Sequence, residues 1–341
     1  MTAPVLCSVV LPCHNEADSL PQILPGILKA AQDAECRVEI VIVDDGSTDS
    51  TLEVARDWSG KCAEVQYLSL SRNFGKEAAM YAGLKAASGD LVLIMDADGQ
   101  HPPEVLPLLV REQEATGADQ VVARRDRTGD PKVRTAVSNL FYRASNRLSE
   151  VELVNGDGDF RLLTRKAAQA VLNLQETNRF SKGIFAWIGF STTVVNYPNQ
   201  PRVAGTSSWS NSRLVDYAVE GLISFNTRPL RLVIHMGWAA VVVALGYLVW
   251  LLIYTAKNGI EAPGYVTVIA AIVLIGGIQL ISIGVVGEYV GRIFLETKRR
   301  PMFLVAESSV VNGEESRETP DVPNGEGVQL DGGHSKGQPP N

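Results

Sequence analysis

Two long apolar stretches toward the C-terminal end constrain this chain more than anything else in it. Residues 232–254 (LVIHMGWAAVVVALGYLVWLLIY) and about 266–288 (VTVIAAIVLIGGIQLISIGVVGE) each have the ~20 residues that a helix needs to cross the hydrocarbon core of a bilayer. His235 and Gln279 are their strongly polar side chains. A helix buried in a soluble core rarely stays apolar on every face for so long, so a two-helix transmembrane hairpin is expected. Arg228 and Arg231 precede the first stretch, and Arg292, Lys298, Arg299 and Arg300 follow the second, while the connection at 255–265 sets Lys257 against Glu261. The positive-inside tendency then puts both ends, and whatever precedes the hairpin, on the cytoplasmic side of the inner or plasma membrane. No N-terminal leader is expected, because MTAPVLCSVVLP runs almost at once into a strand pattern.

The chain has 341 residues, which leaves roughly 200 ahead of the hairpin, enough for one ordinary domain. Apolar runs at 6–12, 38–45, 65–70, 90–96 and 119–123 alternate with helical patterns near 19–34, 50–58, 75–87, 103–115 and 132–148. Continuous apolar strands alternating with helices predict an α/β fold, an open and mostly parallel sheet covered on both faces. The expected organisation is a catalytic domain over 1–208, an interfacial amphipathic helix over 209–229, and the hairpin over 230–291. A cytoplasmic basic segment over 292–306 and a disordered tail over 307–341, rich in Glu, Asp, Gly, Pro and Ser, complete it. A net charge of −7 argues against a general nucleic-acid binder. Cys7, Cys13, Cys36 and Cys62 lack any CxxC spacing and are expected as reduced thiols.

In open α/β sheets ligands collect at the carboxyl ends of the strands, here residues 12–16, 44–48, 71–76 and 96–100. Asp96 and Asp98 are two apart on an extended chain, so both carboxylates can face one ion, and Gly99 permits a bend. With the Gln100 amide they form a hard oxygen set suited to Mg²⁺ or Mn²⁺ and to the phosphates such an ion holds. Asp44-Asp45-Gly46-Ser47 reads either as an Asx turn or as a carboxylate accepting from a nucleobase or ribose. Neither a GxGxxG nor a GKS/T loop is present, which removes the main support for a dinucleotide enzyme or a P-loop NTPase.

The segments VVLPCHNEADSL, IVIVDDGSTDST, LSRNFGKEAAMYAGLKAASGD and LVLIMDADGQHPPE resemble the successive motifs of inverting family 2 glycosyltransferases. NGDGDFRLLTRKA and the paired apolar stretches narrow the resemblance to the polyisoprenyl-phosphate glycosyltransferases, the group of bactoprenol glucosyltransferases and dolichol-phosphate mannose synthases; it covers roughly residues 4–305. It implies a nucleotide-diphospho-sugar transferase sheet of the GT-A type. It also implies a nucleotide-sugar donor held by Pro12, His14, Asn15, Glu16, Asp44, Asp45, Lys76 and Asp96, and a divalent metal at Asp96, Asp98 and Gln100. The implied acceptor, a polyisoprenyl phosphate, would meet Arg124 or Arg125, Arg134 and Ser138, since guanidinium groups suit phosphate by bidentate geometry. Asp159, with Asp157 as a second candidate, falls at the acidic position near the attacking oxygen, and Arg202 where relatives carry a basic residue on a mobile loop over the diphosphate. His14 replaces a usual Tyr and Gly99 a usual Leu; neither change removes a charge.

The expected reaction is inverting transfer of one sugar to undecaprenyl or decaprenyl phosphate at the cytoplasmic membrane face. UDP-glucose is favoured as donor because the hairpin and the GEYVGRIFLETKRRP ending look more like the bactoprenol branch, with GDP-mannose or UDP-N-acetylglucosamine as alternatives. A processive polysaccharide synthase is disfavoured by the absence of a QxxRW motif, and a non-catalytic nucleotide-sugar-binding scaffold by the intact acidic constellation. Gly276, Gly277, Ser282 and Gly284 could permit close helix contacts in a homo-oligomer, such as the tetramers of some relatives.

Overall fold

The computed structural model describes residues 4–125, 157–176, 179–198, 228–258 and 264–310. The expected helix at 132–148, the interfacial segment up to residue 227, and the tail beyond 310 lie outside the described residues. Five strand-rich runs read from the sequence become β1 (Leu6–Cys13), β2 (Arg37–Asp44), β3 (Val65–Leu70), β4 (Leu91–Ile94) and β5 (Gln120–Arg125). Between them come α1 (Leu20–Asp33), α2 (Thr51–Lys61), α3 (Lys76–Ala86) and, after a short 3-10 turn, α4 (Leu106–Thr116). Three further strands, β6 (Asp157–Thr164), β7 (Thr192–Tyr197) and β8 (Val305–Ser308), join the same eight-stranded sheet in the order β7-β5-β6-β4-β1-β2-β3-β8. Helices α5 (Arg165–Asn173) and α6 (Ser181–Trp187) lie between β6 and β7.

The sheet is mixed rather than mostly parallel. β1 pairs parallel with β2 and β4, β2 with β3, and β5 with β7. The pairs β4–β6, β5–β6 and β3–β8 are antiparallel. The parallel half carries continuous apolar runs because both of its faces are covered. Along β1 the alternation sends Cys7, Val9 and Leu11 to the layer of α1 and α4, and Val10 to that of α3; on β4 Leu91 and Leu93 part from Val92 and Ile94 in the same way. α1 buries Leu20, Ile23, Leu24, Ile27, Ala30 and Ala31, a 3.6-residue stripe. α3 lies so close to the sheet that a Cβ on Gly83 would come 2.2 Å from Val10 Cγ1. That contact fixes where the first turn of α3, with Lys76 and Glu77, emerges.

Beyond the sheet are two long helices, α7 (Arg228–Asn258) and α8 (Tyr265–Thr297). In α8 the stretch Leu274–Thr297 is 24 residues, long and apolar enough to cross a membrane, and the rest of the described chain does not bury it. The helix runs past the expected end of the second span at 288 to Thr297. After it the chain returns to the catalytic sheet: β8 pairs with β3, Ser71 N–H donates to Leu304 O at 2.8 Å, and Phe303 packs against the α3 layer. The disordered tail expected from residue 307 is thus corrected at its start, because Glu307 and Ser308 belong to a strand.

Candidate active site

The carboxyl ends of β1, β2 and β4 open on one cavity of about 270 Å³, lined by Pro12, His14, Glu16, Asp45, Asn73, Lys76, Asp96 and Asp98 together with Cys13, Gly75, Ala79 and Ala97. Asp44 is buried and faces inward, where it accepts from Ser69 Oγ at 2.9 Å and from Ser47 N–H at 3.1 Å, closing an Asx turn. Asp45, also buried, accepts from the N–H groups of Phe74 at 2.7 Å and Gly75 at 2.8 Å, and so shapes the loop before α3. Gly46 has φ +61°, and a Cβ there would lie 2.4 Å from the Arg72 carbonyl carbon, so only glycine lets these two loops approach. His14 joins the same loops: Nδ1 lies 3.0 Å from Asp45 O, and Nε2 lies 3.1 Å from Asn73 Nδ2. Those partners fit an Nδ1–H imidazole that donates to the carbonyl and accepts from the amide.

Asn15, at φ 59°, spends its side chain on the neighbouring loop, accepting from Thr48 N–H at 2.8 Å; of the expected donor contacts, it and Asp44 do not line the cavity. Glu16 is partly buried and accepts from Ser19 Oγ. Burial raises its pKa, the Ser19 bond opposes this, and the charges of Asp98 and Asp96 raise it further. Three carboxylates thus crowd one wall, an arrangement that a cation relieves.

The turn after β4 is closed by a residue the sequence reading passed over. His101 Nδ1 accepts from Asp96 N–H at 2.9 Å, and its ring stacks on Phe160 with centroids 4.5 Å apart. Gln100 N–H donates to Asp98 Oδ1 at 3.0 Å. Among the described residues no three His, Cys, Asp or Glu side chains form a metal cage. Two carboxylates on a turn that faces the cavity nevertheless suit Mg²⁺ or Mn²⁺, which commonly take one or two protein carboxylates and fill the other positions with water and substrate phosphate.

The central contact is a bridge. Lys76 Nζ lies 2.7 Å from Asp96 Oδ1 and 2.9 Å from Asp159 Oδ2. Burial works against the ammonium charge, but Asp159 and Asp96 outweigh it and push its pKa up. Burial likewise raises the Asp159 carboxyl, yet Lys76 and Lys182 overcome this and hold it below the usual carboxylate range. Lys76 and Asp159 are therefore both ionised near neutrality, although Lys76 keeps a side-chain exposure of 43%. Asp159 reaches this edge because β6 runs antiparallel to β4, with Ile94 opposite Arg161. In the β5–β6 register Arg124 stands opposite Asp157, which brings Arg124 and Arg125 to the same edge. Arg134, Ser138 and Arg202 lie outside the described residues.

This edge can hold a diphosphate beside a cation, with a carboxylate and basic residues next to it. The sequence agrees with that chemistry over nearly its whole length. Residues 8–172 match the description "Glycosyl transferase family 2", and residues 228–293 match "GtrB C-terminal hairpin". CsbB of Bacillus subtilis (strain 168), whose name describes a glycosyltransferase, is 44% identical over 90% of this chain and 93% of its own. The SfII prophage-derived bactoprenol glucosyl transferase of Shigella flexneri is 39% identical over 88% of this chain and 97% of its own. The chain belongs to glycosyl transferase family 2. Among solved structures, the mannosyltransferase PcManGT from Pyrobaculum calidifontis, in complex with GDP-Man and Mn2+, covers 83% of this chain and 84% of its own at 18% identity, with a TM-score of 0.48.

Membership of the family accounts for the mixed, open sheet of the GT-A type in this glycosyltransferase, and the second match for its C-terminal hairpin. Some of its site residues carried no sequence signal of their own. Asn73 stands inside a strand-end segment and His101 one residue past another, so both could have been reached by position, whereas Lys182 reaches Asp159 only through the packing of α6.

Proposed function

We propose that this glycosyltransferase moves one sugar from a nucleotide sugar, with UDP-glucose favoured, to a polyisoprenyl phosphate of the undecaprenyl or decaprenyl class at the cytoplasmic membrane face. The observation that carries this reading is the Lys76 bridge, which ties Asp159 to the Asp96 turn, while Lys76, Asp96 and Asp98 line the cavity. Relatives named as bactoprenol glucosyl transferases, aligned over most of the chain, support the acceptor class. The donor diphosphate lies against Asp96 and Asp98, with Lys76 beside it and the nucleoside toward Pro12, His14 and Asp45. A Mg²⁺ or Mn²⁺ ion held by Asp96, Asp98 and Gln100 supplies charge neutralisation of the departing nucleoside diphosphate when bound.

An oxygen of the lipid phosphate attacks the anomeric carbon as the bond from that carbon to the donor diphosphate breaks, and configuration inverts. Arg124, Arg125, Arg134 and Ser138 orient the acceptor phosphate, and Arg202 adds charge over the diphosphate. A phosphate monoester is largely ionised near neutral pH, so Asp159 serves mainly to orient it, with Asp157 as the neighbouring candidate. Catalysis here is positioning and electrostatics. The test is transfer by the purified protein in detergent from labelled UDP- and GDP-sugars to undecaprenyl phosphate, read as an organic-extractable product. Asp96→Asn and Asp98→Asn are each expected to lower the rate by about 10²-fold or more. Wild-type turnover by both variants in the presence of a chelator would overturn the mechanism.

A further inference from the structure

Behind the Lys76–Asp159 pair, α3 and α6 are fastened by a cluster that the transfer chemistry does not itself use. Glu77, partly buried, accepts from Ser181 N–H at 3.1 Å and 3.2 Å on its two oxygens, and from Ser181 Oγ. One turn on, Tyr81 donates its hydroxyl to Leu172 O at 3.1 Å and lies under the Arg179 guanidinium, whose Cζ is 4.7 Å from the ring centroid. Arg179 is buried and donates to Leu174 O and, at 3.3 Å, to Val171 O. The connection between α5 and α6 is therefore gripped by one face of α3.

α6 then reaches Asp159 from the opposite side. Gln120 Nε2 donates to Phe185 O at 3.0 Å, and Arg161 stacks over the Phe185 ring at 3.8 Å. Arg161 also donates to Gln120 Oε1 at 3.2 Å and to the carbonyl of Gly158 at 2.8 Å, the residue before Asp159. The contacts close a ring that runs from Asp159 through Lys76 to its neighbour Glu77, across to Ser181 and Phe185, and back through Arg161 and Gly158. A hydrophobic residue would pack between two helices at lower cost than an acid. What a carboxylate adds is two acceptor oxygens for the two donors of one serine.

We propose that Glu77 is a positioning residue for sugar transfer: it clamps α6 to α3 and thereby holds Asp159 in the orientation that meets the acceptor phosphate. The assignment rests on the transfer reading given above. The charged and titratable groups around Glu77 are Lys76 and Tyr81 on its own helix, Asp159 on β6, Arg179 on the connection and Lys182 on α6. Burial raises the Glu77 carboxyl to about 7, the Ser181 bond opposes the rise, and the charge of Asp159 adds to it. The clamp with both oxygens free to accept is consequently complete only above about pH 7.

The experiment uses the full chain in detergent, comparing wild type with Glu77→Ala, Glu77→Gln and Ser181→Ala. Three quantities are read: kcat and KM for each substrate from pH 5.5 to 8.5, affinity for UDP by calorimetry, and hydrogen exchange across residues 179–187. Glu77→Ala is expected to lower kcat about 10- to 100-fold and speed exchange at 179–187, while UDP affinity stays within about threefold, as a misplaced orienting group costs rate rather than donor binding. Glu77→Gln keeps one acceptor oxygen and is expected to restore most of that loss. It is also expected to remove the rise in kcat centred near pH 7 that titration of Glu77 predicts for wild type. A Glu77→Ala enzyme with wild-type kcat, or a rise near pH 7 that survives in Glu77→Gln, overturns the assignment while leaving sugar transfer intact. If Glu77→Ala does not fold, Ser181→Ala decides, and an unchanged kcat there counts against the clamp. A wild-type protein that binds UDP yet transfers no sugar to any polyprenyl phosphate overturns the transfer reading and takes this assignment with it.

Discussion

At the scale of single residues, the site is built from charges whose ionisation is set by their neighbours. Lys76 holds two carboxylates at once, and the depressed pKa of Asp159 reflects that contact and Lys182 against the cost of burial. Glu77 is shifted the other way, to about 7, with burial as the first cause. A carboxylate whose folded pKa is raised contributes stability that is fully present below its unfolded pKa of ~4.5 and is lost as pH rises through about 7. Thermal unfolding of wild type is therefore expected to fall by about 1–3 kcal/mol between pH 5 and pH 8 relative to Glu77→Gln, which has nothing to titrate there. Parallel melting temperatures for the two proteins across that range would refute this. Of these residues, the Asp96 and Asp98 pair was legible from spacing on a strand end. Asp44 and Asp45 were legible as a polar turn, but the division of labour between them was not. Adjacent residues on an extended chain face opposite ways, and only the packed sheet decides that Asp44 meets Ser69 while Asp45 meets the cavity.

At the scale of elements, the return of the chain to the catalytic sheet after α8 has consequences for stability. β8 covers the edge of β3, which would otherwise present unpaired backbone groups. Glu307 pairs with Arg56 at 2.5 Å and accepts from the Tyr67 hydroxyl, but the ion pair is 43% and 40% exposed. Screening by water leaves such an exposed pair little net worth. Arg56→Ala is thus expected to change the melting temperature by no more than about 2–3 °C. Truncation after residue 302, which removes Phe303 and β8 together, is expected to lower it by several times as much. Equal small effects from the two changes would show that the strand contributes little. The first five strands and four helices announced themselves through apolar runs and 3.6-residue stripes. β6, β7 and β8 did not, since β6 carries Asp, Gly and Arg for the site, β7 is only partly buried, and β8 is four residues of edge strand.

For the whole molecule, an α/β sheet is joined to helices on which many described apolar side chains remain uncovered; Leu280 is 73% exposed and Trp238 is 67% exposed. Such a surface calls for a lipid environment. The stacked series Tyr247, Trp250 and Tyr254, with centroids 5.7 Å and 5.4 Å apart, suits the interfacial end of a membrane helix. If both ends of the hairpin are cytoplasmic, a cysteine placed at Ala262 of a variant lacking the four native cysteines will react with an impermeant maleimide added outside right-side-out vesicles. Labelling only after the vesicles are opened would reverse the topology. The sequence by itself determined the α/β alternation, the apolar hairpin, the acidic turn after the fourth strand and membership of the family, since periodicity and motif spacing are local properties of a chain. Only the tertiary structure decided that the sheet is mixed, that its last edge is closed by residues beyond α8, and that Lys76, Glu77, Asp159 and α6 form one ring. These are contacts between segments tens to hundreds of residues apart, and their register is fixed by packing against a shared core.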